Sequence, residues 1–396
     1  MAFHKEEFKE AIDYSQIAYL TFLEPGYMAL YNGDKNYPTL ESIIEACMGS
    51  LDYYNAYRKA VEDFNFRNQD VLEITIKDIV KYSTNISDAD KDRLAELEPE
   101  IFSYRIQDVY NVKDYNGFFA CYIDKGNGEK AIGIRGCENI RNKENFIHDW
   151  GDSSLGLVHS EETPQQSEVR YFLRYLKDSH QLDDCDKLTI AGHSLGGNLA
   201  SHAAIVLEED EFSDVKGKLY KAFNLDGPGV SQKYLRHNKE EIEKVAAKDV
   251  IQHVRWSVVG NLLFDIPGTC SKNIKVNDRK LDKYIGEKDD TVLGQLKRMF
   301  CKHSTVCVTP IYDMNEGWDV EEEKKDGLSK FLGTFSKSVD AFIPEPITYA
   351  AGSISLWLAE KILVRSDTKK DITEDIISIP STEPIQNDIL TGEIEL

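Results

Sequence analysis

The chain has no excess of positive charge. Among its 396 residues, 47 Lys and Arg stand against 69 Asp and Glu, a formal net charge of −22. Phosphate backbones and anionic lipid headgroups need a basic surface, so the composition argues against nucleic acid as a partner and against docking on membranes by charge alone. Insertion of apolar groups at a membrane surface is not excluded by charge. Cysteine is scarce: Cys47, Cys121, Cys137, Cys185, Cys270, Cys301 and Cys307 are odd in number and scattered in spacing. That pattern fits reduced thiols in a cytosolic protein rather than a disulfide framework. Cys301 and Cys307 bracket His303, but no second ligand pair has the spacing of a zinc site, so no metal is expected. No run of 18 apolar residues occurs, and no transmembrane segment is expected. The first residues, Met-Ala-Phe-His-Lys-Glu-Glu-Phe, lack a basic segment followed by an apolar one. The expected location is therefore the cytoplasm, or outside it by export without a cleaved signal peptide.

What is present is concentrated at residues 188–197, Leu-Thr-Ile-Ala-Gly-His-Ser-Leu-Gly-Gly. A short apolar run meets a Gly-x-Ser-x-Gly turn at Gly192, Ser194 and Gly196, and a helix-compatible stretch from Asn198 to Glu208 follows. Strand, tight turn and helix in that order form a nucleophile elbow, which pushes the serine hydroxyl out above the sheet. Gly192 and Gly196 leave room for so sharp a bend. Ser194 is the candidate nucleophile.

Around the elbow the chain alternates strands and helices. Strands are expected over Phe118–Ile123, Ala131–Arg135, Leu188–Ala191, Leu219–Leu225 and Val250–Val259, and Lys125-Gly-Asn-Gly128 reads as a hairpin turn. A helix is expected over residues 163–178. Strands separated by helices imply an α/β fold with a mostly parallel sheet. Before it, residues 5–23 carry apolar residues at helical spacing, and residues 39–115 mix helical patterns with no strong strand. Four regions result: an N-terminal helical layer or cap (1–115), an α/β core (116–312), a helical extension (316–365) and an acidic, loosely ordered tail (366–396). The extension follows the charged run Asp319–Asp326 and holds two apolar helices, one marked by Leu328, Phe331, Phe335 and Val339, the other running from Ile347 to Val364.

A nucleophilic serine needs a base, a group to orient that base and N–H donors for the oxyanion. In an elbow-bearing α/β sheet the partners follow in the order Ser, acid, His. Of the later histidines, His202 lies on the helix leaving the elbow, His237 in a charged helical run and His253 inside a strand. His303, in a Lys-His-Ser loop after the last strands, is the candidate base. Two carboxylates compete as the acid. Asp226 ends the strand after the elbow in Asn-Leu-Asp-Gly-Pro-Gly, and Asp265 follows the next strand in Leu-Leu-Phe-Asp-Ile-Pro. Asp226 is preferred because the Gly-Pro-Gly turn fixes it, and Asp265 is the runner-up. The oxyanion donors are expected to be the N–H groups of Leu195 and of Cys137, which follows Ile134-Arg-Gly136. Asp149-Trp150 would anchor that loop.

These pieces together resemble the class 3 lipase group of α/β-hydrolases, and look closest to a bacterial lipase-like branch of it. The shared residues are an early helix with an aromatic end (Tyr14 to Phe22), Ile-Arg-Gly136, Asp149-Trp150, Gln165-Gln166, Gly192-His-Ser-Leu-Gly-Gly-Asn-Leu199, Asp226-Gly-Pro228, Ser257-Val-Val-Gly260 and His303, covering residues 5–310. Two positions depart from that group, which usually carries Ser or Thr where Cys137 stands, and Gly-Ser-Pro where Asp226-Gly-Pro228 stands, with the acid one strand later. The resemblance implies an α/β-hydrolase fold and a carboxylic ester hydrolase of lipase or phospholipase type, acting on lipid esters without a cofactor. The chain is also similar to leaderless lipase effectors of type VII secretion. In that reading residues 328–364 dock small helical protein partners; otherwise they pack on the core. Two other functions stay open: a non-catalytic interaction protein on a hydrolase fold, and a thioesterase or peptidase with the same triad.

Overall fold

The computed structural model describes residues 5–33, 36–66, 74–112, 116–136, 157, 160–274, 303, 312–313 and 317–318. Cys137, Asp149-Trp150, Cys301, Cys307, the expected partner-docking segment 328–364 and the acidic tail lie outside the described residues.

Seven strands form one mixed sheet: β1 (Arg105–Val112), β2 (Phe118–Gly126), β3 (Glu129–Ile134), β4 (Lys187–His193), β5 (Leu219–Leu225), β6 (Ile251–Arg255) and β7 (Cys270–Asn273). Their order across the sheet is their order in the chain. β1, β2 and β3 pair antiparallel, and every pair from β3 to β7 is parallel. The β2–β3 hairpin turns at Gly126-Asn127-Gly128, all three with positive φ. The fold is α/β.

Parallel strands that advance in one direction, joined by right-handed crossovers, put every crossover helix on the same face. That face holds α6 (Pro164–Asp178), α7 (Leu195–Val206), α8 (Gln232–His237) and α9 (Lys239–Ala246). Phe172, Leu199, Ala203, Tyr234 and Ile242 belong there to one buried cluster with Phe118, Ala120 and Tyr122 of β2. The alternate residues Phe119, Cys121 and Ile123 face the other way. That second face is covered by the N-terminal segment, with α1 (Lys5–Ile17), α2 (Leu23–Leu30), α3 (Leu40–Phe66), α4 (Ile76–Val80) and α5 (Asp88–Glu96).

Helix α1 is buried on nearly every side from Phe8 to Ala18, so its polar residues need internal partners. Lys9 supplies them, with Nζ 2.5 Å from Asp13 Oδ1 and 3.0 Å from the Glu96 carbonyl oxygen. The helix stops at Ile17 instead of running to residue 23. Tyr19 and Leu20 instead close a tight turn on Gln16 and Ile17.

Three strand assignments differ from the expectation. β1 forms within the stretch read as lacking a strand; its sequence Arg-Ile-Gln-Asp-Val-Tyr-Asn-Val is half-exposed at the sheet edge, so no clean alternation marks it. β7, Cys-Ser-Lys-Asn, is a short edge strand made by pairing with β6 rather than by propensity. β6 ends at Arg255, four residues sooner than expected, for a reason that lies in the site. Among the described residues no helix is long and apolar enough to cross a membrane. Residues 312–313 and 317–318 form a separate two-strand ladder.

Gly133 of β3 lies under α1 so closely that a Cβ there would stand 2.2 Å from the Tyr14 carbonyl oxygen and 3.1 Å from Cys121 Sγ. The obstacle is helix backbone, which cannot rotate away. Gly133→Ala is expected to lower stability by roughly 1–3 kcal/mol, as overpacking of a close-packed interior does, measured by urea unfolding. An unchanged midpoint would show that α1 shifts freely on the sheet.

Candidate active site

Strand β4 delivers Ser194 to the carboxyl edge of the sheet, and α7 begins at the next residue. Ser194 has φ 60° and ψ −131°, a region that costs a non-glycine residue of the order of 1–3 kcal/mol. The surroundings hold it there. Its N–H donates to the Leu225 carbonyl oxygen at 3.0 Å, and its own carbonyl accepts from Gly197 N–H at 2.9 Å. The elbow glycines are required by close approach: a Cβ on Gly192 would lie 2.1 Å from Gly196 O, and one on Gly196 would lie 2.4 Å from Ile134 O. Ser194 is half-buried. Leu195 opens α7, where first-turn N–H groups lack helical acceptors and the helix dipole favours negative charge.

The strand next to β4 carries Asp226. His193 pairs in register with Leu225, so Asp226 stands beside the elbow. It adopts φ 52°, its turn tied by Gly227 N–H donating to Asn224 Oδ1 at 2.8 Å. The Asp226 carboxylate is fully buried. Oδ1 accepts from the N–H groups of Trp256 and Ser257, each at 2.9 Å, and Oδ2 lies 2.7 Å from His303 Nδ1. These two N–H bonds draw the chain out of the sheet after Arg255 and so end β6. Burial by itself would raise the Asp226 pKa. The bond and charge of His303, with the Ser257 and Trp256 donors, outweigh it and hold the carboxyl below its ordinary range.

The structure thus brings His303 and Asp226 together. Nδ1–H of His303 donates to the carboxylate, which leaves Nε2 with a lone pair when the ring is neutral. Ser257 Oγ is 3.3 Å from the same Nδ1. Nε2 is buried and takes no hydrogen bond among the described residues, Ser194 included. The His303 ring lies 4.6 Å, centroid to centroid, from the ring of His193, the residue before Ser194.

Asp265 is engaged elsewhere. It pairs with Arg255 and stands 3.4 Å from His253 Nδ1. Burial would raise its pKa, but His253 and the Arg255 guanidinium hold it well below the usual carboxylate range. His253 Nε2 is 2.8 Å from the Gly227 carbonyl oxygen. The runner-up carboxylate therefore supports the turn that presents Asp226, through Arg255 and His253. His202 is buried, with Nδ1 2.7 Å from the Tyr234 hydroxyl. His237 is exposed beside Glu161. Among the described residues no group of three or more His, Cys, Asp or Glu is arranged to hold a metal ion.

Three residues at the site were given no role from the sequence. His193 sits inside the elbow motif, where Gly and Ser draw the attention. Trp256 and Ser257 meet the Asp226 carboxylate through backbone N–H groups, which leave no trace in residue type.

Residues 100–284 match the model of a family described as Mbeg1-like. No curated protein sequence matches the chain. Among solved structures, the native Rhizomucor miehei lipase propeptide complex is similar with a TM-score of 0.31 and 15% identity, covering 71% of this chain and 71% of that one. M37 lipase is similar with a TM-score of 0.33 and 12% identity, covering 92% of this chain and 99% of that one. The Mbeg1-like match takes in Ser194, Asp226 and Asp265 and ends before His303.

Proposed function

We propose that the protein is a serine hydrolase on an α/β-hydrolase fold, of lipase or phospholipase type, that cleaves carboxylic esters of acyl lipids through an acyl-enzyme on Ser194. The observation that carries this reading is a strained elbow serine that follows His193, whose ring lies 4.6 Å from that of His303, with His303 Nδ1 2.7 Å from a buried carboxylate. The match of residues 100–284 to the lipase-like Mbeg1-like family supports it.

Ser194 Oγ attacks the ester carbonyl carbon as His303 Nε2 takes its proton. Asp226 holds the ring in the tautomer that leaves Nε2 basic and stabilises the imidazolium that forms. The carbonyl oxygen, now negative, is held by Leu195 N–H and by Cys137 N–H. His303 returns the proton to the departing alcohol. A water molecule, deprotonated by His303, then attacks the acyl-enzyme carbonyl, releases the acid and restores the serine. Catalytic hydrogen bonds are often long in a free enzyme and tighten with substrate, so the unengaged His303 Nε2 fits a resting site. The reading extends to contact with a lipid surface through apolar groups. It extends also to residues 328–364, as a docking segment for small helical partners or as helices packed on the core.

Ser194→Ala is expected to lower hydrolysis of short and long p-nitrophenyl esters and of phosphatidylglycerol by at least about 10³-fold. Equal activity of wild type and variant would sink the reading and favour a binding protein on the same fold. A preference for thioesters or peptides over oxygen esters would redirect it to the thioesterase or peptidase class.

Asp226→Asn is expected to lower kcat by about 10³–10⁴-fold, because the amide favours the wrong imidazole tautomer. Asp265→Asn is expected to act weakly by comparison, and the reverse ranking would reassign the acid. The same variant tests the electrostatics. Asp226 has a lowered pKa in the fold, so its contribution to stability is present above the ordinary carboxylate pKa of about 4 and fades as pH falls through the lower folded value. In urea unfolding, the stability gap between wild type and Asp226→Asn is expected to be widest near about pH 6 and to narrow toward about pH 3. A gap that ignores pH would contradict the assigned ionisation.

A further inference from the structure

His193 takes none of the three roles above, yet it is buried and both ring nitrogens are engaged. Nε2 lies 2.8 Å from the His303 carbonyl oxygen, and Nδ1 lies 3.4 Å from the Tyr19 hydroxyl. A carbonyl only accepts, so the proton sits on Nε2 and Nδ1 accepts from Tyr19 O–H. The Tyr19 oxygen in turn accepts from Gly136 N–H at 3.0 Å. Donors and acceptors alternate without conflict from Gly136 through Tyr19 and His193 to the backbone of His303. Trp256 Nε1–H donates to the same His303 carbonyl at 3.3 Å. The His193 ring also stacks on Trp256, with centroids 5.7 Å apart and planes 6° apart.

The arrangement works only if His193 stays neutral, because a proton on Nδ1 would turn the acceptor for Tyr19 into a second donor. Its surroundings ensure that. Burial first, then the neighbouring His303 charge, drive its pKa down to about 3 against the opposing pull of Asp226 and the His303 carbonyl, and Arg93 adds to the downward push. The Arg93 guanidinium stands 5.4 Å over the Tyr19 ring.

We propose that His193 and Tyr19 are positioning residues for His303: Tyr19 fixes the His193 tautomer, and His193 Nε2–H anchors the His303 backbone to the residue next to the nucleophile. The proposal rests on the hydrolase reading of Ser194, His303 and Asp226. It makes one device serve two sides of the site. The same tyrosine hydroxyl ties Gly136, the residue before Cys137, and the same histidine ties the base. Displacing the base by a fraction of an ångström would then be felt in kcat while substrate binding is spared.

Three variants separate this role from simple packing. His193→Phe keeps a stacking ring and loses the hydrogen bonds. His193→Gln loses the ring but carries an N–H that reaches toward the His303 carbonyl. Tyr19→Phe removes only the hydroxyl. With folding verified by thermal unfolding, His193→Phe is expected to lower kcat about tenfold to hundredfold with KM within about twofold, and to shift the acid limb of the pH–rate profile. His193→Gln is expected to recover most of the loss, and Tyr19→Phe to fall between. A folded His193→Phe with wild-type kcat and pH profile overturns the proposal, and so does a His193→Gln variant no better than His193→Phe. If the variants do not fold, histidine-selective ¹⁵N labelling of the wild type decides: His193 is expected as the Nε2–H tautomer, without titration, across about pH 5–8. An Nδ1–H tautomer, or titration in that range, refutes the proposal. Absence of Ser194-dependent turnover in the wild type would instead refute the hydrolase reading, and the same spectra would still judge the tautomer.

Discussion

The parallel strands enter the sheet in the order in which the chain makes them, and much of the architecture follows from that. Right-handed crossovers then fall on one face, so α6 to α9 crowd a single side and the other would be left bare. An apolar sheet face cannot face water at the scale of Phe119, Cys121, Ile123, Ala191 and Phe223. The N-terminal helices are the answer, with α1 laid so close to β3 that Gly133 admits no side chain. The helical segment is therefore a structural layer of the sheet. The same winding sends the carboxyl ends of β4 and β5 to one rim, which places Ser194 and Asp226 on adjacent strand ends.

At that rim a buried carboxylate is the costly element, since an ionised group out of water needs full hydrogen-bonding compensation. Asp226 has it, from two backbone N–H groups and one imidazole. The compensation shapes the chain beyond the site. It ends β6, turns Trp256 and Ser257 inward and so sets Trp256 against His193 and His303. A second line, from Asp265 through Arg255 and His253 to the Gly227 carbonyl, braces the turn from behind. The strained backbone at Ser194 and at Asp226 is tolerated because each is fixed by bonds to neighbouring strands.

Some of this was legible in the residues. The Gly-x-Ser-x-Gly turn carries its own context, because the apolar run before it and the helix after it are local. Leu219–Leu225 reads as a strand and appears as one. Edge strands were not legible. The half-exposed sequence of β1 and the short Cys-Ser-Lys-Asn of β7 owe their form to a neighbour, and no local pattern announces a neighbour. Between Asp226 and Asp265 the residues gave a preference for the first, from its Gly-Pro-Gly turn, and no more. Asp226 ends a strand and Asp265 lies in the connection after the next one, and only the placement of Arg255 and His253 shows that Asp265 is already occupied.

The sequence by itself determined the class of layered α/β sheet, the elbow and the identity of its serine, since each rests on contacts between residues a few positions apart. Tertiary structure decided which carboxylate meets His303, what covers the second face of the sheet, and that His193 and Tyr19 reach His303 and Gly136 at all. Those outcomes depend on side chains and backbone groups separated by tens to more than a hundred residues. Distance and direction between such groups are set by the winding of the sheet, and residue type alone carries no record of it.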